Sequence, residues 1–257
     1  MLLVIFAFVI ISTLLVWYLL RHDHGRRLPV GPLWGAFGFG ILALVIAFIL
    51  EVIVIPNKVS TAPLSTSIST RLFSALGVGV IEETCKFLPL ALFLFRKPYF
   101  REHTDGVIYF AICGLTFGLF ENIEYTLSMG AGAGIYRLFL TPFFHAAATS
   151  TLGFYLASYK VDRQTRPKLI LACILIPLIH GMYDFGLLSA NLVLLTVSLM
   201  LTVLLTMALF LYFTHANDLD RATLAAVPVP VVQNFCPRCG RQNVRHTRFC
   251  EYCGQQL

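Results

Sequence analysis

Charge is what this chain has least of: charged residues make up 12% of its 257 positions, against roughly 25% in ordinary soluble domains. That shortage argues against a soluble fold. Its counterpart is an apolar content of 58%, gathered into hydrophobic runs of about 20 residues that can each cross a hydrocarbon core of roughly 30 Å at helical rise. The runs lack the apolar–polar alternation of barrel strands, so backbone satisfaction in lipid points to helices. No repeat of fixed period is present. The first run has no basic residue ahead of it and no small-residue cleavage site before Arg21, and it is expected to be a retained helix rather than a removed signal peptide.

What is there reads as an all-α polytopic membrane protein of about seven transmembrane helices plus a small C-terminal zinc ribbon. Spans are expected near 1–20, 33–55, 71–95, 106–128, 138–159, 169–189 and 193–214. They define a transmembrane domain over 1–214, a linker over 215–234 and a ribbon over 235–257. Of the 19 Lys and Arg residues, 15 fall on one side of the membrane, in the loops around Arg21 to Arg27, Arg96 to Arg101 and Lys160 to Lys168 and in the tail. The other side holds only Lys58, Arg71 and Arg137. The basic side is therefore cytoplasmic, with the N-terminus outside and the C-terminus inside a cell's inner membrane. The net charge of +6 is mostly this bias and needs no nucleic-acid partner.

After Thr214 the apolar run stops, and a segment containing Pro228-Val229-Pro230 leads to Cys236-Pro-Arg-Cys239 and Cys250-Glu-Tyr-Cys253. Two CxxC pairs ten residues apart match a four-thiolate zinc site, with Gly240 and Gly254 relieving the two knuckle turns. Free or disulfide-bonded thiols are the alternative, and a reducing compartment disfavours the latter. Four protein ligands leave no open position, so this zinc is structural. Arg238, Arg241, Arg245 and Arg248 give the ribbon a basic surface, most simply a solvated face. Cys85, Cys113 and Cys173 lie within spans and read as small packing residues.

Ionisable residues inside spans cost roughly 2.5 to 3.5 kcal/mol each on insertion scales, so each calls for a partner or a task. The third span carries Glu82, Glu83 and Lys86, the fourth Glu121 and Glu124, the fifth His145, and the sixth His180 and Asp184. Glu51 stands near the outer end of the second span, within reach of the interface. Under the assigned topology Glu82, Glu121, His145, His180 and Asp184 share one layer roughly 8 to 17 Å below the outer face. That agreement across four helices implies a single polar cavity open to the outside. Helical spacing puts Lys86 between Glu82 and Glu83 and pairs His180 with Asp184. Pro89, Pro142 and Pro177 are expected to break the helical ladder near this layer, and Gly114 with Gly118 to admit a close neighbour helix.

The five acidic residues of this layer face one cation, Lys86. Either some carboxyls hold protons or a divalent cation compensates them, and both states suit activation of water. No GxSxG elbow is present, Thr149 and Ser150 follow His145 too closely for a nucleophile–base pair, and Asp184 is the only intramembrane Asp where an aspartyl dyad needs two. The bland alternatives are packing salt bridges for Glu82, Glu83 and Lys86, and a satisfied core histidine for His145. A proton- or ion-coupled transporter using the Glu/His/Asp layer is the competing function. Carriers usually show internal repeats and a path open to both sides.

Glu82-Glu83-x-x-Lys86, Phe117-x-x-x-Glu121, Pro142-x-x-His145 and His180-x-x-x-Asp184, in this order on consecutive helices, resemble the motifs of the PrsW family of intramembrane proteases. That family is distantly similar to the CAAX prenyl endopeptidases. The resemblance spans about residues 71 to 189. It implies hydrolysis of a peptide bond in a membrane-anchored protein near the extracytoplasmic face, as in site-1 cleavage of an anti-sigma factor. Carried over, it makes Glu82 and Glu83 the water-activating pair, with Lys86, Glu121, His145, His180 and Asp184 as further site residues by either a glutamic or a metal-dependent mechanism.

Overall fold

Helix α4 (His103–Met129) is the axis of the transmembrane unit, because its glycines leave one face bare for α6 (Thr141–Val161). A Cβ on Gly106 would strike the Gly153 carbonyl, and one on Gly114 the His145 carbonyl. Small residues bring helix backbones together in lipid, where hydrophobic burial gives no drive. Around this pair stand α1 (Leu2–Arg21), α2 (Val30–Val54), α3 (Ile68–Phe95), the short α5 (Ala131–Leu138), α7 (Arg166–Leu187) and α8 (Leu192–Ala226). The computed structural model describes residues 1–55, 67–138, 140–187, 189, 191–226, 234–236, 238–243, 250 and 252–256. Lys58, Pro228 to Pro230, Arg245 and Arg248 lie outside the described residues.

The bundle is apolar outside and polar within. Large hydrophobics such as Trp17, Phe48 and Leu211 are exposed on α1, α2 and α8, whereas Thr149, Ser150 and Thr151 of α6 are buried. Among the described residues five helices, α1, α2, α4, α7 with the turn before it, and α8, are long and apolar enough to cross a membrane. The other two expected spans are α3 and α6, helices of 28 and 21 residues. α3 falls short in apolarity because of Glu82, Glu83 and Lys86, and α6 because its buried face is built of small and hydroxyl residues.

Two local expectations change. Pro142 does not kink a helix but opens α6 at its first turn, where a missing N–H costs nothing; Pro89 and Pro177 do lie inside α3 and α7. The stretch before α6, read as loop, contains α5, entered through Gly130 at φ 90°, a left-handed conformation that glycine adopts freely.

The apolar run ends at Thr214, yet α8 continues to Ala226 with Asn217 and Asp220 buried. Asp220 accepts hydrogen bonds from the backbone N–H groups of His103 and Thr104, both at 2.8 Å, and caps α4 from another helix. Glu102 and Asp105 complete a capping box there. In the nearby loop, burial raises the pKa of the Asp23 carboxyl from its ordinary value, against a hydrogen bond from the Gly25 N–H. Met1–Arg221 forms one compact unit and Ala222–Leu257 a second. In the second, β1 (Asn234–Phe235) and β2 (Gln242–Asn243) pair antiparallel.

Candidate active site

Lys86 organises the polar layer. Its ammonium has three N–H donors, and three acceptors surround it: Glu82 Oε2 at 2.9 Å, Glu83 Oε1 at 3.0 Å and His145 Nδ1 at 2.9 Å. The Phe117 ring covers it from α4, with Nζ 3.7 Å from the centroid, a cation–π contact in a dry setting. An ammonium can only donate, so His145 Nδ1 accepts and its Nε2 carries the hydrogen. Nε2 then donates to Glu121 Oε2 at 2.9 Å. Gly118 makes room for this imidazole, since a Cβ there would lie 2.6 Å from its ring.

Glu83 is held on both oxygens. His180 Nδ1 donates to Oε1 at 2.8 Å and Thr149 Oγ1 to Oε2 at 3.2 Å, in addition to the bond from Lys86. The remaining His180 nitrogen, Nε2, stands 3.5 Å from both Glu82 Oε2 and Asp184 Oδ2. Glycines again set the approach. A Cβ on Gly79 of α3 would meet the Pro177 carbonyl and the Gly181 N–H of α7, so the Glu82–Glu83 turn lies directly against the His180 turn.

All seven residues singled out from the sequence, Glu82, Glu83, Lys86, Glu121, His145, His180 and Asp184, therefore fall in one cluster. An eighth was missed. Arg137, counted above as a loop cation, is 4% exposed and reaches in from α5. It pairs with Glu121 Oε2 at 2.9 Å, donates from Nε to Asn122 Oδ1 at 2.7 Å and stacks 4.0 Å over the Tyr125 ring. The charge balance thus has two cations, Lys86 and Arg137. Glu51 also departs from expectation, since it is buried rather than at the interface. Loop position concealed Arg137; the available signal was two polar residues beside Glu121, Asn122 directly after it and Tyr125 one turn on.

The cluster forms the floor of a cavity of about 510 Å³. Glu82, Glu121 and Asp184 line it, with Glu51, Glu124 and an apolar wall from α2 that includes Leu44, Ala47 and Phe48. Glu83 is not among the lining residues. Glu82, His145 and His180 each offer a ligand atom, all within 4.8 Å of one another. One carboxylate and two imidazoles are the donor set of many catalytic zinc sites, so these residues fit a divalent metal in kind and spacing. His145 would give up its bond from Lys86 to present Nδ1.

The tail holds a different constellation. Cys236, Cys239, Cys250 and Cys253 converge, with Sγ–Sγ distances of 3.5 Å for Cys236 to Cys253 and 3.7 Å for Cys239 to Cys250. Bonds of about 2.3 Å to a tetrahedral zinc require sulfurs about 3.8 Å apart, so the four thiolates fit the metal. Gly240 and Gly254 turn the knuckles at φ 69° and 71°, and their N–H groups donate to the Cys236 and Cys250 carbonyls at 2.8 and 2.9 Å.

Comparison with known proteins gives a family for each of the two regions. The PrsW family of intramembrane metalloproteases matches residues 28–213, and a zinc-ribbon domain matches residues 235–257. Protease PrsW of Clostridioides difficile is 29% identical over 190 residues, covering 70% of this chain and 78% of that protein. Protease PrsW of Geobacillus kaustophilus is 27% identical over 177 residues, 68% of this chain and 75% of the relative. Protease PrsW of Bacillus subtilis is 34% identical over 114 residues, 44% of this chain, and the chain spans about half of that relative, 52%. No solved structure matches significantly. A match running from the start of α2 to the middle of α8 takes in every residue of the buried cluster, and on it the chain belongs to the PrsW family of intramembrane metalloproteases.

Proposed function

We propose that this protein hydrolyses a peptide bond of a membrane-anchored protein near the extracytoplasmic face of the inner membrane, with Glu82 as the water-activating residue. One observation carries the assignment: of the two adjacent glutamates, only Glu82 lines the cavity, while Glu83 is tied down by Lys86, His180 and Thr149. Glu82 has the access a general base needs. Glu83 holds Lys86 and the His180 ring in place. Asp184 and His180 Nε2 flank Glu82, where they orient the water and steady the developing oxyanion. Glu121 and Lys86 fix the His145 tautomer. In a metal-dependent form, a divalent metal held by Glu82, His145 and His180 would supply acidity to a bound water, and Glu82 would there be a ligand rather than the base.

The basic loops support an orientation with this cavity outside and the ribbon in the cytoplasm. An anti-sigma factor is the substrate class implied by the resemblance. We read the helical unit as the catalytic domain, its end carried past the expected boundary at 214 to Arg221 by the buried Asn217 and Asp220 of α8, and residues 235–257 as a docking module built on a structural zinc. The test is cleavage of single-span reporter proteins by the purified chain and by Glu82→Gln, Glu83→Gln and His180→Ala. All three are expected to lose cleavage, Glu82→Gln by about 10²- to 10⁴-fold; cleavage surviving in all three would refute the assignment.

A further inference from the structure

We propose that the cavity selects a substrate segment carrying a basic side chain beside the scissile bond, and that Glu124 at its lip is the residue that reads that charge. The inference rests on the protease reading above and adds to it the chemistry of the substrate.

The argument starts from the lining. Among the described residues every charged side chain that lines the cavity is acidic: Glu51, Glu82, Glu121, Glu124 and Asp184. The two cations of the layer stand behind this surface, Lys86 committed to Glu82 and Glu83 and Arg137 to Glu121. A cleft lined by one sign of charge between low-dielectric walls focuses its field on whatever enters. A divalent metal on Glu82, His145 and His180 would have one of its two charges countered by Glu82, and Glu121, Glu124 and Asp184 would still line the cavity.

The wall from α2 fixes what comes with the charge. Val45, Phe48 and Ile49 line the cavity and are 51%, 59% and 51% exposed on the bundle's outer surface. An apolar segment can therefore pass from lipid along α2 to Glu82 without leaving an apolar surface. The cavity thus suits the end of a membrane-spanning segment, apolar on one side of the cut and cationic on the other.

Among the acidic lining residues Glu124 has no structural task. It lies one helical turn beyond Glu121 on α4, is exposed beside Tyr125 and Ser128, and makes no hydrogen bond or ion pair among the described residues. Its carboxylate is free to meet a substrate ammonium or guanidinium, and removing it disturbs no packing.

The test uses three fluorescently labelled single-span peptides with the same apolar segment of about 20 residues, followed by Lys-Lys, Gln-Gln or Glu-Glu. The full chain in lipid nanodiscs is expected to cleave the Lys-Lys peptide with kcat/KM about tenfold above the Glu-Glu peptide, the difference lying in KM. Glu124→Gln should bring the ratio towards one and Glu124→Lys should invert it. Equal kcat/KM for all three peptides, or a preference untouched by Glu124→Lys, overturns the proposal. Binding of the same peptides to Glu82→Gln protein, read by fluorescence anisotropy with and without Glu124→Lys, separates the two readings. A charge preference that inverts in binding upholds the role of Glu124 even where no peptide is cut and the protease reading fails; no charge preference in binding or cleavage overturns it.

Discussion

Two buried carboxylate–histidine pairs sit at opposite ends of α4, and they are chemically alike. At one end His103 Nδ1 lies 2.8 Å from Asp220, and at the other His145 Nε2 lies 2.9 Å from Glu121. Their remaining partners differ. Asp220 also takes two backbone N–H groups and so finishes the start of a helix. Glu121 takes only side chains, from His145 and Arg137, and lines a cavity. A carboxylate bound to backbone stabilises a fold, whereas one held by side chains beside open space is poised to act on something that enters it. Burial and a histidine partner alone do not distinguish the two.

The sharpest way to break this contrast is at the cavity end. Glu121→Gln keeps the shape and one accepting oxygen but removes the negative charge between His145 and Arg137, and cleavage of a single-span reporter is expected to fall about 10²-fold or more with a melting shift no larger than that of Asp220→Asn. A loss of stability matching the loss of rate would put Glu121 in the same class as Asp220. Arg137→Ala comes next. It acts through Glu121 and should cost about 10- to 100-fold in kcat, as outer partners of a reactive histidine do. Arg137→Lys, which keeps the charge and loses the fork to Glu121 and Asn122, should recover part of that. If KM alone moved, Arg137 would be a substrate contact instead. Thr149→Val deletes a single hydrogen bond to Glu83, a change of about 0.5 to 1.5 kcal/mol, or roughly 2- to 10-fold in kcat/KM.

How much of this was legible in the sequence follows from which rule each residue obeys. Lys86, Glu82 and Glu83 share a helix face at spacings of three and four, and His180 with Asp184 likewise, so local geometry announced them. Depth bookkeeping across α3, α4, α6 and α7 gathered the rest into one layer. The CxxC pairs stated their chemistry outright. Arg137 did not, because a basic residue near a span end is what topology leads one to expect outside the membrane. Only the turn at Gly130 and the return of α5 against α4 bring it inside, and neither has a hydrophobic period to read. Asp220 was hidden in the same way. The apolar run ends before it, while the helix continues on hydrogen bonds and on the capping of α4, contacts with no periodic signature. Which of two adjacent glutamates faces the cavity is likewise a matter of tertiary packing.

The smallest effect on catalysis belongs to the other end of α4. Asp220→Asn preserves shape but replaces one accepting oxygen with an NH₂ that faces a backbone or imidazole donor. Leaving such a buried donor unmet costs about 1 to 3 kcal/mol. The purified chain is therefore expected to melt several degrees lower, while kcat/KM at a temperature below the transition stays within about twofold of the natural protein. Thermal unfolding and reporter cleavage on one preparation decide the matter. If Asp220→Asn lowered the rate tenfold with no shift in melting, the cap and the cavity would be coupled along α4. The division between a backbone-held and a side-chain-held pair would then have to be replaced by one that treats the helix as a single unit.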